Sequence, residues 1–282
     1  MTTFETSPQQ EPPRTCPVCN AAGSSPHRFS SDCWSVVRCT SCGMVYLSNP
    51  PLQQSLSGDF AWEITSQRER EKRRSGRPFY YLVSDSLKCF KRWLRNQIQH
   101  EVAIILRLYP QGGSVLDIGC GEGATLVALL GTGARFQLSG IEPSPSFAEQ
   151  ADKLCQANGG RVEFTTALEG IPRFAPASFD LVVMRSYLEH EVYAAQVLRA
   201  AIEVLKPGGR LLIKVPSSTC WSAKLRGRKW PGVRHPDHVN YFSSHHLGLL
   251  LRDCGFADFR FEPLSLLPTC DNLWVVARRA TS

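Results

Sequence analysis

The stretch Val115 to Gly123, reading VLDIGCGEG, constrains this chain more than any other. An apolar run passes straight into a turn with glycines at 119, 121 and 123, and Glu142 follows about twenty residues later, in SGIEPS. Glycines at that spacing let the backbone take positive φ and come close to a ligand, and a helix expected from Ala124 turns its free N–H groups toward the turn. An acid ending the next strand suits a ribose diol. Together these features read as a nucleoside-cofactor site. Nicotinamide dinucleotides use a similar turn spaced GxGxxG, whereas here the spacing is GxGxG and Asp117 sits just ahead of it, where its charge would repel a pyrophosphate. A carboxylate there suits a cofactor carrying an ammonium and a sulfonium, so S-adenosylmethionine is expected over NAD. An ordinary strand-to-helix turn would need the glycines for geometry alone, but landmarks further along the chain agree with the cofactor reading.

The length of 282 residues suits one large α/β domain with a small appendage. The polar, proline-containing start lacks a signal-peptide pattern, and every later apolar run is short and interrupted by charge. A soluble cytoplasmic protein without a membrane span is therefore expected. Eleven cysteines, four of them in two CxxC pairs, fit free thiols in a reducing compartment better than a disulfide framework. The net charge of +7 draws partly on the run Arg68, Arg70, Lys72, Arg73, Arg74 and Arg77, and is compatible with an anionic acceptor without requiring one.

Cys16-Pro-Val-Cys19 and Cys39-Thr-Ser-Cys42 each place two thiols on a tight turn, with a segment between them long enough for a hairpin. Four thiolates in tetrahedral array suit Zn²⁺ and leave no open position for a reactive water, so a structural zinc ribbon is expected. A ribbon of this size has almost no core, and metal binding, worth about 10–16 kcal/mol in comparable peptides, is its expected source of stability. Cys33 is a fifth thiol that could replace one ligand; the paired spacing favours the other four.

After Asn49-Pro-Pro51 the chain is polar and charged to Gly76. From Phe79 to Tyr109 apolar residues recur at helical spacing until Pro110, which predicts one helix or two in line. From Ser114 onward strands and helices alternate, with strands expected near 114–118, 137–141, 161–165, 179–184, 209–215, 257–262 and 272–278. This is the doubly wound α/β pattern, whose sites lie at the carboxyl ends of the strands.

With these landmarks in place, the chain from about Val102 onward resembles the class I S-adenosylmethionine-dependent methyltransferases. VLDIGCGEG matches the family's glycine-rich loop, Glu142 its ribose-binding acid, SFDLVVMRSYLEHE its fourth strand and following loop, and LKPGGRLLIKVPS its entry into the fifth strand. The resemblance implies a Rossmann-like seven-stranded sheet of order 3-2-1-4-5-7-6, its seventh strand antiparallel. The implied organisation is a polar N-terminus over 1–14, a zinc ribbon over 15–48, a linker and helical cap over 49–110 and a methyltransferase domain over 111–282. The ribbon and the segment HPDHVNYFSSHHL narrow the resemblance to bacterial enzymes associated with sugars or secondary metabolites. The cofactor contacts carried over are Asp117, Gly119, Cys120, Gly121, Gly123, Glu142, Pro143 and Arg185. Many relatives place an Asp after the third strand against the adenine amino group; this chain has Ala167 there, so backbone groups around Ala167 and Leu168 are expected instead.

The sulfonium methyl is already electrophilic, so an enzyme of this class mainly aligns the acceptor and excludes water, with a base needed only where the acceptor loses a proton. His190, in the loop after the fourth strand, titrates near neutrality and suits a base, while a packing or capping role competes with that reading. His235, His238, His245 and His246 form a second cluster. By resemblance, His238-Val-Asn-Tyr241-Phe242 forms the acceptor-pocket wall or supplies a base, so His190 and His238 are the catalytic candidates. Tyr187 and Tyr241 join Trp221 and Trp230 as acceptor contacts; the two tryptophans lie in an insertion whose Lys224, Arg226, Arg228, Lys229 and Arg234 could hold an anionic group, though a solvated loop also accounts for them. The expected function is methyl transfer to a sugar or natural-product acceptor, chiefly at oxygen. An RNA methyltransferase and a non-catalytic binding protein of the same fold are the competing readings.

Overall fold

The computed structural model describes residues 13–51 and 100–281. The basic run at 68–77 and most of the apolar repeat that begins at Phe79 lie outside the described residues; the described part of that repeat is the helix His100–Leu108.

The N-terminal part holds three short strands, β1 (Ser24–Pro26), β2 (Val36–Cys39) and β3 (Val45–Leu47), paired antiparallel in that order. The large sheet is built from β4 (Gly112–Ile118), β5 (Arg135–Ile141), β6 (Val162–Glu163), β7 (Phe179–Arg185) and β8 (Leu205–Pro216). A two-residue strand β9 (Asn240–Tyr241) follows, and then β10 (Asp258–Phe261) and β11 (Asn272–Arg278) return to the large sheet. Its order is β6-β5-β4-β7-β8-β11-β10. Strands β4 to β8 run parallel and β11 lies antiparallel to both neighbours. Numbered along the domain, this is the expected order 3-2-1-4-5-7-6.

The central strands read as continuous apolar runs because both faces are covered. Side chains alternate between two cores. Leu116, Ile118, Val182 and Met184 pack with Val197, Leu198 and Ala201 of the helix Ala194–Val204. Val115, Leu181 and Val183 pack on the opposite face with Ile104 and Ile105 of the first helix and with Ala148 and Ala151 of the helix Pro145–Gln156. Two expected strands differ in extent. The third is only two residues long, and the fifth starts at Leu205, because the Lys-Pro-Gly-Gly segment is taken into the strand through an irregular register between Phe179↔Leu205 and Leu181↔Arg210.

The ribbon is continuous with the domain. Strand β3 pairs with β9 through Val45↔Tyr241 and Tyr46↔Asn240, so β9 is the fourth strand of the small sheet. Val18, Val37, Met44 and Tyr46 share a core with Phe242, Leu247 and Leu250. The ribbon's limited apolar surface is thus completed by the larger domain. Arg14 clamps the seam, donating to the carbonyls of Leu47, Val192 and Val239 and to Asn240 Oδ1 at 2.6–3.0 Å.

Candidate active site

At the carboxyl end of β4 the chain turns through Gly119, Gly121 and Gly123 with φ of 73°, 53° and 82°. At Gly119 the requirement is also steric, since a Cβ would stand 2.6 Å from Cδ2 of Tyr187. Above Gly121 a Cβ would meet nothing within 4 Å, so the turn is open there. Glu142, at the end of β5, is fixed against this turn: Oε2 accepts from Gly121 N at 2.9 Å and Oε1 from Ser144 N at 3.0 Å. Each carboxylate oxygen can accept more than one hydrogen bond, so both remain competent toward a diol.

Asp117 is 2 % exposed, and its Oδ1 has no hydrogen-bond partner among the described residues. Burial pushes its carboxyl up to about 7; Arg185 opposes the shift, and the nearby Glu142 and Glu101 add to it. A buried, under-satisfied acid beside a second acid, next to an open glycine turn, fits a cofactor that brings a cation and hydroxyl donors. Pro143 lies between Glu142 and the helix at 145–156. Cys120 is buried and packs against Gly140, where a Cβ would meet its sulfur at 2.7 Å, so only its backbone is presented to the turn. Ala167 and Leu168 open the short helix Ala167–Gly170, with the Ala167 side chain in the core, which leaves backbone groups for any adenine contact. Arg185 pairs with Glu101 at 2.9 Å. Glu101 was invisible as a site residue in sequence, being one acid at the start of an amphipathic helix.

The loop after β7 carries the second half of the site. Ser186 adopts φ 56°, a strained value for a non-glycine residue, and its Oγ accepts from Lys214 Nζ at 2.6 Å. Tyr187 lies over Gly119 and donates its hydroxyl to the Glu191 carboxylate, while its carbonyl accepts from His190 N at 2.9 Å. The chain therefore places the Tyr187 ring on the glycine turn, and its carbonyl meets the histidine segment. Glu189 carbonyl oxygen accepts from Val239 N and Asn240 N at 2.8 and 3.1 Å, which binds the β7 loop to the segment carrying His238. The rings of His190 and His238 meet at 4.6 Å between centroids with perpendicular planes.

His190 Nδ1 lies 2.9 Å from the Asp237 carbonyl and 3.4 Å from Asp237 Oδ1, and Arg234 holds Asp237 at 2.6 Å. Burial drives the His190 imidazole down, but the hydrogen bond and charge of Asp237, with Glu189 behind, raise it on balance. His238 Nδ1 lies 2.9 Å from the Gly232 carbonyl, and burial holds this imidazole well below its ordinary value, so it is neutral near pH 7. Because a carbonyl only accepts, Nδ1 of His238 carries the proton and Nε2 keeps the lone pair.

The other acceptor candidates fall elsewhere. Trp230 and Tyr241 are each 2 % exposed and pack with Phe29 of the ribbon at 5.9 and 5.4 Å, so they build the seam between ribbon and domain rather than an acceptor wall. Trp221 is 56 % exposed. Lys224, Arg226, Arg228 and Lys229 are exposed, whereas Arg234 is committed to Asp237. The histidine cluster divides: His238 joins His190, while His246 Nε2 donates to the Cys42 carbonyl at 2.9 Å and its Nδ1 accepts from Ser243 Oγ at 2.7 Å.

The two CxxC turns converge. Cys16 and Cys42 sulfurs are 3.6 Å apart, those of Cys19 and Cys39 are 3.5 Å apart, and all four lie within 4.8 Å of one another. A tetrahedral zinc with Zn–S of about 2.3 Å needs edges of about 3.8 Å, so the donor set fits the ion. Cys33 is outside this group.

This fold and this arrangement at the strand ends define a class, and comparison with known proteins agrees. The family model described as a methyltransferase domain matches residues 90–259, more than half of the chain, and the chain belongs to that family. Over 114 residues it is 32% identical to the ubiquinone biosynthesis O-methyltransferase of Xanthomonas axonopodis pv. citri (strain 306), covering 40% of this chain and 47% of that protein. The counterpart from Xylella fastidiosa (strain 9a5c) is 33% identical over 114 residues, covering 40% and 46%. The chain spans about half the length of the curated relatives it matches. A crystal structure from Thermotoga maritima, titled a SAM-dependent methyltransferase and possible histamine N-methyltransferase, superposes with a TM-score of 0.51 at 21% identity, over 71% of this chain and all of that one; it supports the fold alone. Among the described residues no helix is long and apolar enough to cross a membrane.

Proposed function

We propose that the protein transfers a methyl group from S-adenosylmethionine to a hydroxyl oxygen of a small acceptor of the sugar or natural-product kind. The observation that carries this reading is Tyr187, which touches the glycine turn through its ring and receives the His190 N–H on its carbonyl, so cofactor loop and histidine pair are held by one residue. Bound S-adenosylmethionine supplies an electrophilic methyl on a sulfonium. Asp117 offers its buried carboxylate to the ammonium, Glu142 its two oxygens to the ribose, and the N–H groups of the turn the remaining polar contacts. On the acceptor side, neutral His238 takes the hydroxyl proton on Nε2, while His190, oriented by Asp237, positions the acceptor oxygen. Oxygen is favoured over nitrogen or carbon because the curated relatives, over the part they share with this chain, are named as O-methyltransferases. The four cysteines hold a structural zinc.

The test is a screen of catechols, nucleotide sugars and a metabolite extract, with bulk RNA as a further arm, using methyl-labelled S-adenosylmethionine. Label should enter a small acceptor, and His238→Gln should reduce turnover by about 10²-fold or more while calorimetry shows the cofactor still bound. Absence of cofactor binding, label entering RNA alone, or full turnover by a His190→Gln/His238→Gln double variant would overturn the reading.

A further inference from the structure

Glu189, His190 and His238 each bring one ligand atom to within 4.8 Å of the others. In both rings Nδ1 is engaged by a backbone carbonyl at 2.9 Å, that of Asp237 for His190 and that of Gly232 for His238. Each Nδ1 therefore donates, and Nε2 keeps its lone pair in His238 and in the neutral form of His190. This is the preparation found in metal-bound histidines, whose second nitrogen donates to a carbonyl or carboxylate and so fixes tautomer and ring angle. Glu189 is 1 % exposed, and its Oε2 has no hydrogen-bond partner among the described residues. A buried carboxylate oxygen of that kind is costly unless something positive meets it. Its backbone is pinned by Val239 N and Asn240 N, from the segment that also presents His238, so the three donors are held by one hydrogen-bonded unit. The two rings stand perpendicular, 4.6 Å apart between centroids, so neither is displaced from the other two donors.

We propose that Glu189, His190 and His238 form a second metal site, for a divalent first-row transition ion such as Zn²⁺ or Co²⁺, separate from the four-cysteine site. Two imidazoles and one carboxylate suit such ions, and three protein ligands leave at least one position for a water or an acceptor oxygen. The side chain of His190 is 20 % exposed, which gives that position access from solvent. The catalytic meaning of the site rests on the methyl-transfer reading. In a metal-loaded protein His238 and His190 would serve as ligands in place of their roles as base and positioning group; the ion would supply acidification of the acceptor hydroxyl, whose proton would pass to solvent water.

The experiment is a Co²⁺ titration of zinc-loaded protein, followed by visible absorption and calorimetry, with S-adenosylmethionine binding measured on the same samples. One equivalent of Co²⁺ should bind with nitrogen–oxygen ligand-field bands and no thiolate charge-transfer band. Glu189→Gln, which keeps the side-chain shape, and His238→Gln should each weaken cobalt binding by at least about tenfold while cofactor binding reports an intact fold. No cobalt taken up, cobalt appearing only with a thiolate band, or equal uptake by wild type and both variants would overturn the proposal. Cofactor binding without cobalt removes the metal site and leaves the methyltransferase reading standing; cobalt binding without cofactor does the reverse.

Discussion

Replacing Asp117 by Asn should stabilise the cofactor-free protein above neutrality while weakening its hold on S-adenosylmethionine. The folded state raises this carboxyl from 3.8 to about 7, chiefly by burial. Between pH 4 and 7, therefore, the folded chain holds a proton that the unfolded chain has released, and stability falls as pH rises through that window. Below about pH 4 both states are protonated and the group contributes nothing; above about pH 7 the penalty is complete. At 1.36 kcal/mol for each tenfold change in acidity, raising this carboxyl from 3.8 to about 7 corresponds to roughly 4 kcal/mol. Asn escapes that penalty but leaves a buried amide to satisfy, which costs about 1–3 kcal/mol, so a net gain of about 1–3 kcal/mol is expected at pH 8. At pH 5, where the folded wild type is already protonated, most of that gain should vanish. Urea unfolding of both proteins at pH 5 and pH 8 measures the double difference, and calorimetry should show the variant losing cofactor affinity. A stability difference that stays level between the two pH values would refute the claim that an uncompensated buried charge sits at Asp117.

Gly119→Ala should lower cofactor affinity by about tenfold or more, because the left-handed backbone costs about 1–2 kcal/mol for an L-residue and the new methyl displaces the Tyr187 ring; a calorimetric titration reads it. Glu142→Gln should weaken binding by about 1.5–3 kcal/mol through loss of charge-assisted hydrogen bonds, and unchanged affinity, or NAD bound more tightly than S-adenosylmethionine, would count against the assignment. Metal analysis of the purified protein should find zinc in the four-cysteine site. Cys39→Ser should release that zinc and loosen the domain seam as well as the ribbon: amide exchange should quicken at Val45–Leu47 and at Asn240–Phe242 together, and quickening confined to the ribbon would show that the seam does not depend on the metal.

The parts legible in sequence are those whose chemistry is local. The glycine turn, the acid at the end of the next strand and the paired cysteines announce themselves because each needs particular residues at fixed spacing, and the apolar runs around Val115 and Val182 mark strands covered on both faces. What escaped notice depends on partners far along the chain. Asn240 and Tyr241 look like one wall of an acceptor pocket until β3 is found beside them. Trp230, set among basic residues, reads as an acceptor contact, whereas it is buried in a cluster with Phe29 and Val36 of the ribbon. Arg14 lies in a polar N-terminal stretch with no motif, yet it ties three backbone carbonyls and one amide. Glu189 sits beside the more conspicuous His190, and that its Oε2 has no hydrogen-bond partner among the described residues cannot be read from residue order.

The pairing of β3 with β9 makes the visible module boundary a poor place to cut. A protein begun near residue 110 would retain the whole seven-stranded sheet yet leave β9 as a bare edge, with Trp230, Tyr241 and Phe242 newly wetted and Val239 and Asn240 stripped of the Arg14 side chain. The same short segment supplies the N–H groups that pin Glu189, so losing the ribbon would slacken the link between the β7 loop, with His190, and the segment that carries His238. For evolution the consequence is linkage: a ribbon joined in this way cannot be exchanged between relatives as an independent tag, and substitutions at Tyr46 or Phe29 would register in turnover even though neither residue belongs to the cofactor turn.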